Sequence, residues 1–141
     1  MRFWDSSAIV PLLIDEETTS SMRQVLIQDP SIAVWLFTSV ELLSVFGRLG
    51  RQSAALDDLL PELRANAGAF LEHAVTVTDV DGVRRRAERL VGLHPLAAAD
   101  AMQLAAALVA SGDRPETLAF VTLDRQLGRA AQLEGFRTIN G

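Results

Sequence analysis

Four acids occupy places where a carboxylate is costly: Asp5 directly after the strand-like RFW, Glu41 after SIAVWLFTSV, Asp100 inside LAAADAMQLAAALVA, and Asp124 after LAFVTL. In an open α/β sheet, ligands bind beyond the C-terminal ends of the strands, where helices begin, and Asp5, Glu41 and Asp124 fall in that slot. Asp100 lies in a helix whose fifteen residues from Leu96 to Ala110 are otherwise apolar except for Gln103. If the strand ends are neighbours, the four carboxylates converge. Two like charges about 4 Å apart repel by roughly 4 kcal/mol at an effective dielectric near 20, so such a cluster needs a proton, a basic partner or a cation. The chain has no Lys, and Arg125 is the only Arg adjacent in sequence to any of the four. A hard divalent cation, Mg²⁺ or Mn²⁺, is the simplest partner for an all-oxygen set. Water bound to such an ion is a nucleophile at neutral pH, which points to metal-dependent phosphodiester hydrolysis.

Taken singly, each acid also has a structural explanation. Asp5 with Ser6 and Ser7 fits a turn or helix cap, Asp124 fits an N-cap, and Asp100 fits a first-turn acid favoured by the helix dipole. Thr38-Ser39-Val40-Glu41 fits a capping box, with Glu41 reaching back to the Thr38 amide. Only the four together favour a shared site.

The elements that must position them alternate. SIAVWLF (31–37), TLAFVT (117–122), AVTVT (74–78) and FRTI (136–139) read as strands beside the N-terminal one, being rich in β-branched and aromatic residues. Trp35 and Phe37 read as sheet core and Phe46 as helix core. Helical patterns lie between: SVELLSVFGRLGRQ, with Leu42, Leu43, Phe46 and Leu49 at helical spacing, then residues 54–73, where Pro61 marks a break or a second start. DGVRRRAERLVG reads as a surface helix, PLAAADAMQLAAALVASG as a buried one, and DRQLGRAAQLEG as a short helix stopped by Gly135. Asp79 is expected to cap the surface helix, and its arginines to pair with Asp81 and Glu88. The expected fold is a single three-layer α/β/α domain over residues 1–141, with a central, mainly parallel sheet of 4–5 strands.

Composition narrows the chemistry further. With no Cys, disulfides, thiolate metal sites and a Cys nucleophile are excluded. The first 30 residues lack a secretory signal pattern, and no apolar stretch is long enough for a bilayer, so a soluble, cytoplasmic protein is expected. His73 and His94 are too far apart for a helical metal pair. Thirteen basic against 18 acidic residues give a net charge of −5, which alone disfavours a nucleic-acid partner. Setting aside the four site acids leaves 13 basic against 14 acidic residues, and a bound cation tips the balance further.

The motifs WDSSAIV, TSVELLSVFGRLGR, LAAADAMQLAAAL and FVTLDRQLGRAAQLEGF span almost the whole chain. In these pieces the sequence resembles the PIN-domain ribonucleases, specifically the VapC-type toxins of bacterial toxin–antitoxin pairs. The most specific part is A-D-A-x-x-L-A followed by F-V-T-x-D-x-x-L-x-x-A; Trp4 departs from the aliphatic residue usual before the first acid. The resemblance implies a PIN-like domain and an acidic quartet on Asp5, Glu41, Asp100 and Asp124, all catalytic and metal-holding. Ser6 and Thr122 would orient acids or waters. It further implies a Mg²⁺- or Mn²⁺-dependent endoribonuclease, an RNA substrate, a homodimer, and a small VapB-type antitoxin covering the active-site groove. Arg48 and Arg51, on the helix that carries Glu41, are the expected phosphate contacts. Two other readings share the fold or the site: a catalytically idle PIN-fold binding module, and another metal-dependent phosphohydrolase. Retention of all four acids counts against the first. The absence of a Gly-rich phosphate loop or a nucleophilic D-x-D counts against the second, Asp79-Val80-Asp81 being better read as a cap.

Overall fold

The computed structural model describes residues 1–140. Five short strands alternate with seven helices: β1 (Arg2–Trp4), α1 (Ser6–Leu13), α2 (Thr19–Gln28), β2 (Ile32–Trp35), α3 (Thr38–Gln52), α4 (Ala54–Glu72) and β3 (Val75–Val77) make the first half. α5 (Val80–Leu93), α6 (Ala98–Ala110), β4 (Ala119–Val121), α7 (Arg125–Leu133) and β5 (Arg137–Ile139) make the second. The strands pair in the order β3-β2-β1-β4-β5, all parallel, with Arg2 opposite both Ile32 and Ala119 and Trp4 opposite Val121.

β2 and β4 are buried along their whole length, because a parallel sheet covered on both faces needs apolar residues at every position rather than at alternate ones. Successive side chains still point to opposite faces. Phe3 packs with Trp35, Leu104, Phe120 and Leu127 on the side covered by α5, α6 and α7, where the Phe3 and Phe120 rings stack with centroids 5.5 Å apart. Trp4 packs with Ile9, Met22, Val34, Phe46 and Leu63 on the side covered by α1–α4. The result is the three-layer α/β/α architecture with a parallel central sheet expected from the sequence. Among the described residues, no helix is long and apolar enough to cross a membrane.

Three expectations change. Residues 54–72 form one helix that runs through Pro61, which forfeits one backbone hydrogen bond without breaking the rod. Ser53 caps its start, accepting from the Leu56 amide at 3.4 Å. α2 has no counterpart in the sequence reading. Phe37 is 45% exposed rather than part of the sheet core, since β2 ends at Trp35 and the chain turns outward before α3.

Candidate active site

β1 is the central strand from which the chain runs outward to β2 and β3 and later returns to β4 and β5 on the other side. The gap between the C-terminal ends of β1 and β4 is the switch point of the sheet, where adjacent connections diverge and leave a crevice. Asp5 sits there. Its amide donates to the Val121 carbonyl at 3.0 Å, extending the ladder by one rung, and its side chain caps α1. The carboxylate is 2% exposed. Its Oδ2 accepts from the Ser7 amide at 3.2 Å, from Ser7 Oγ at 2.5 Å and from Thr122 Oγ1 at 2.9 Å. Oδ1 has only Ser6 Oγ, at 3.5 Å.

Ser7, rather than Ser6, is thus the principal hydroxyl partner of Asp5. An N-cap side chain accepts from the second or third helical residue, and Ser7 is the second, so the capping reading of Asp5 carried the information needed to choose it. Ser7 Oγ also accepts from the Leu123 amide at 2.9 Å, and Thr122 Oγ1 from the Asp124 amide at 3.1 Å, which ties the ends of β1 and β4 together. Asp124 caps α7 through Oδ1, which accepts from the Leu127 amide at 2.8 Å. Cap and candidate site acid are the same residue at both Asp5 and Asp124, so the two readings are compatible.

Glu41 makes no capping box. Helix α3 already includes Thr38, one residue earlier than the box requires, and Phe37 is the N-cap. Instead, the fully buried Gln103 donates through Nε2 to Glu41 Oε2 and, at 3.1 Å, to Thr38 Oγ1. Gln103 Oε1 is buried with no partner. Sequence reasoning saw Gln103 only as an exception in an apolar helix. Its place three residues after Asp100, on neighbouring ridges of α6, was the available signal.

None of the four acids forms an ion pair among the described residues. Burial pushes Glu41 up to about 7, with the charges of Asp5 and Asp100 adding to the rise and the Gln103 amide opposing it. Burial likewise pushes Asp100 up to about 6, helped by Asp124 and Asp5. Asp5 is raised by burial, against the pull of its Ser7 and Thr122 donors, with Asp124 contributing repulsion. Asp5 therefore lies near enough to Glu41, Asp100 and Asp124 for their charges to interact. No three of them stand close enough to hold one ion together as placed. Each nevertheless keeps at least one oxygen without a short hydrogen bond, a donor set that suits a hard cation completed by water.

Arg48 and Arg51 are exposed on α3. Arg48 lies seven residues past Glu41, about 10 Å along the helix axis. Arg84 pairs with Asp81 and Glu88, Arg85 with Asp81, Arg86 with Asp113 and Arg89 with Glu134, as a structural belt would. Asp79 caps α5 through the Gly82 amide. His94 pairs with Glu134 at 2.7 Å, and His73 with the Ala69 carbonyl. An apolar groove of about 380 Å³ is lined by Trp35, Phe37, Val80, Val91, Ala98 and Met102 among others, and by none of the four acids.

No family model matches the chain, and no curated protein does. A crystal structure of FitAcB from Neisseria gonorrhoeae is similar, with a TM-score of 0.63 at 19% sequence identity over 99% of this chain and 97% of that one. At that identity, the likeness establishes the fold across the whole domain.

Proposed function

We propose that the chain is a Mg²⁺- or Mn²⁺-dependent endoribonuclease that acts as the toxin of a VapBC-type toxin–antitoxin pair in the cytoplasm. One observation carries this reading: Asp5, Glu41, Asp100 and Asp124 lie along the C-terminal ends of the strands near enough for Asp5 to sense the other three, and none of the four forms an ion pair among the described residues. The motif resemblance to PIN-domain toxins and the full-length fold likeness to FitAcB support it. Asp5, Asp100 and Asp124 would hold the ion, with Glu41 ligating directly or through water. A cation held there supplies an activated water and offsets charge on the phosphate under attack.

The chain's own residues do the rest. Ser7 and Thr122 lock Asp5 Oδ2 and leave Oδ1 for ligation. Gln103 fixes Glu41 Oε2 and leaves Oε1 for the ion or its water. The apolar groove between α5 and α6 offers a seat for the apolar face of an antitoxin segment. Exposed Val40, Leu43 and Leu59 add apolar surface on α3 and α4 for the antitoxin or for a homodimer.

Cleavage of RNA with and without EDTA, for the wild type and for Asp5→Asn and Asp100→Asn, tests the reading. Chelation and either substitution should abolish cleavage. Undiminished cleavage in both variants contradicts the site.

A further inference from the structure

A second cavity, of about 460 Å³, lies beside Asp124, and the α7 and β5 residues that line it take no part in the chemistry above. It shares a wall with the acid cluster, because Thr122, which holds Asp5, and Asp124 both line it. Its opposite wall is polar and basic: Arg125 and Arg129 stand four residues apart on one face of α7, with Thr138 and Asn140 nearby. Gly128 lies between the arginines, and even a Cβ there would approach Thr122 Cγ2 to 3.4 Å, so a longer side chain would fill the space the glycine leaves.

The electrostatics distinguish this pair from the rest of the surface. Every arginine of the α5 belt is engaged by an acid, whereas Arg125 and Arg129 form no ion pair among the described residues. Arg48 and Arg51 are also unpaired, but they line neither this cavity nor the apolar groove. Arg23 lines another cavity, which already contains Asp15, Glu16 and Glu17. Among the described residues, only at α7 do two uncommitted guanidinium groups, a polar hollow and a candidate site acid meet.

We propose that this cavity is a phosphate subsite for a single-stranded RNA, gripping a backbone phosphate adjacent to the one at the acid cluster. The inference rests on the nuclease reading and adds to it the path of the strand: from the acids across Asp124 and along α7, rather than down α3. Two guanidinium forks at i,i+4 suit a phosphate, since each presents paired donors at fixed spacing. The contacts carry no base preference, so the subsite sets register and affinity.

The test uses the full chain carrying Asp100→Asn, to prevent cleavage, and a short single-stranded oligoribonucleotide titrated at several salt concentrations. Adding Arg125→Ala and Arg129→Ala should weaken binding on the order of tenfold at low salt. It should also flatten the dependence of log K on log salt by about 1.4, the value for two lost phosphate contacts on a single strand. Arg125→Lys with Arg129→Lys should restore the slope while recovering only part of the affinity, a result that a merely structural role for the arginines does not give. The Arg85→Ala, Arg114→Ala pair, at exposed arginines already engaged by acids, should leave both slope and affinity largely unchanged. If the parent binds RNA and the Arg125, Arg129 double variant binds identically, the subsite is overturned and the nuclease reading stands. If the parent binds no RNA at all, the nuclease reading falls and the subsite with it.

Discussion

Two groups of acids in this molecule have opposite environments. On α5, in the turn after α6 and at the C-terminal end of α7, Asp81, Asp113 and Glu134 each face arginine, and those partners hold all three carboxyls below their ordinary range. At the C-terminal ends of β1 and β4 and the starts of α3 and α6, Asp5, Glu41 and Asp100 face one another and buried surface, and all three are held above it. The belt is an arrangement that folding alone can account for, since exposed pairs form wherever long side chains meet. The cluster is one that folding alone penalises. Buried like charges without a counterion persist when something other than stability requires them.

Neutralising one acid in each group gives the sharpest contrast. Asp5→Asn or Asp100→Asn should lower RNA cleavage at least a hundredfold, since even residues that only orient metal ligands cost 10- to 100-fold. Asp81→Asn, at an exposed belt position, should leave cleavage unchanged. A smaller loss is expected from Gln103→Leu, roughly 10- to 100-fold, because Thr38 and Glu41 lose their common donor. The Gln103 amide lowers the Glu41 pKa, so its removal should also move the acid limb of the pH–rate profile to higher pH. That shift separates positioning of Glu41 from simple loss of packing.

Stability against pH sharpens the comparison without reference to activity. A carboxyl with a raised folded pKa binds more protons folded than unfolded, so its contribution is fully present below the unfolded value and is lost as pH rises through the folded one. For metal-free protein the cluster should therefore lose stability between about 4.5 and about 7 at Glu41, and between 3.8 and about 6 at Asp100. The belt has the opposite sign: its lowered carboxyls contribute stability above their ordinary values, which disappears as pH falls through the folded ones. Thermal melts in EDTA should show the first decline, and it should shrink in Asp100→Asn. Smallest of all, Arg89→Ala should cost no more than about 1 kcal/mol in chemical denaturation and less at high salt, since Arg89 is half exposed.

Much of the site could be read from sequence because its acids sit next to signals that sequence carries well. Short apolar runs ended by Asp5 and Asp124 mark strand ends, and Asp100 stands out in an alanine-rich helix. What escaped depends on angles rather than spacing. Choosing between Ser6 and Ser7 requires the cap geometry of α1, and the role of Gln103 requires the packing of α6 against α3. α2 escaped because TSSMRQVLIQ buries only Thr19, Met22 and Val25 and exposes Ile27, which leaves little apolar periodicity to detect. Phe37 misled for the converse reason: it continues the apolar run of β2, yet the strand stops two residues earlier. Pro61 misled because helix breaking is a tendency that the remaining hydrogen bonds of a 19-residue helix can override.

The claim on which the rest depends is that the acid cluster binds a divalent cation. Isothermal titration of Mn²⁺ into the wild type and Asp100→Asn at pH 7.5, above the raised pKa values of Glu41 and Asp100, addresses it directly. Saturable binding to the wild type, weakened at least tenfold by Asp100→Asn, is the expected result. No binding to the wild type, or equal binding to both proteins, would contradict it.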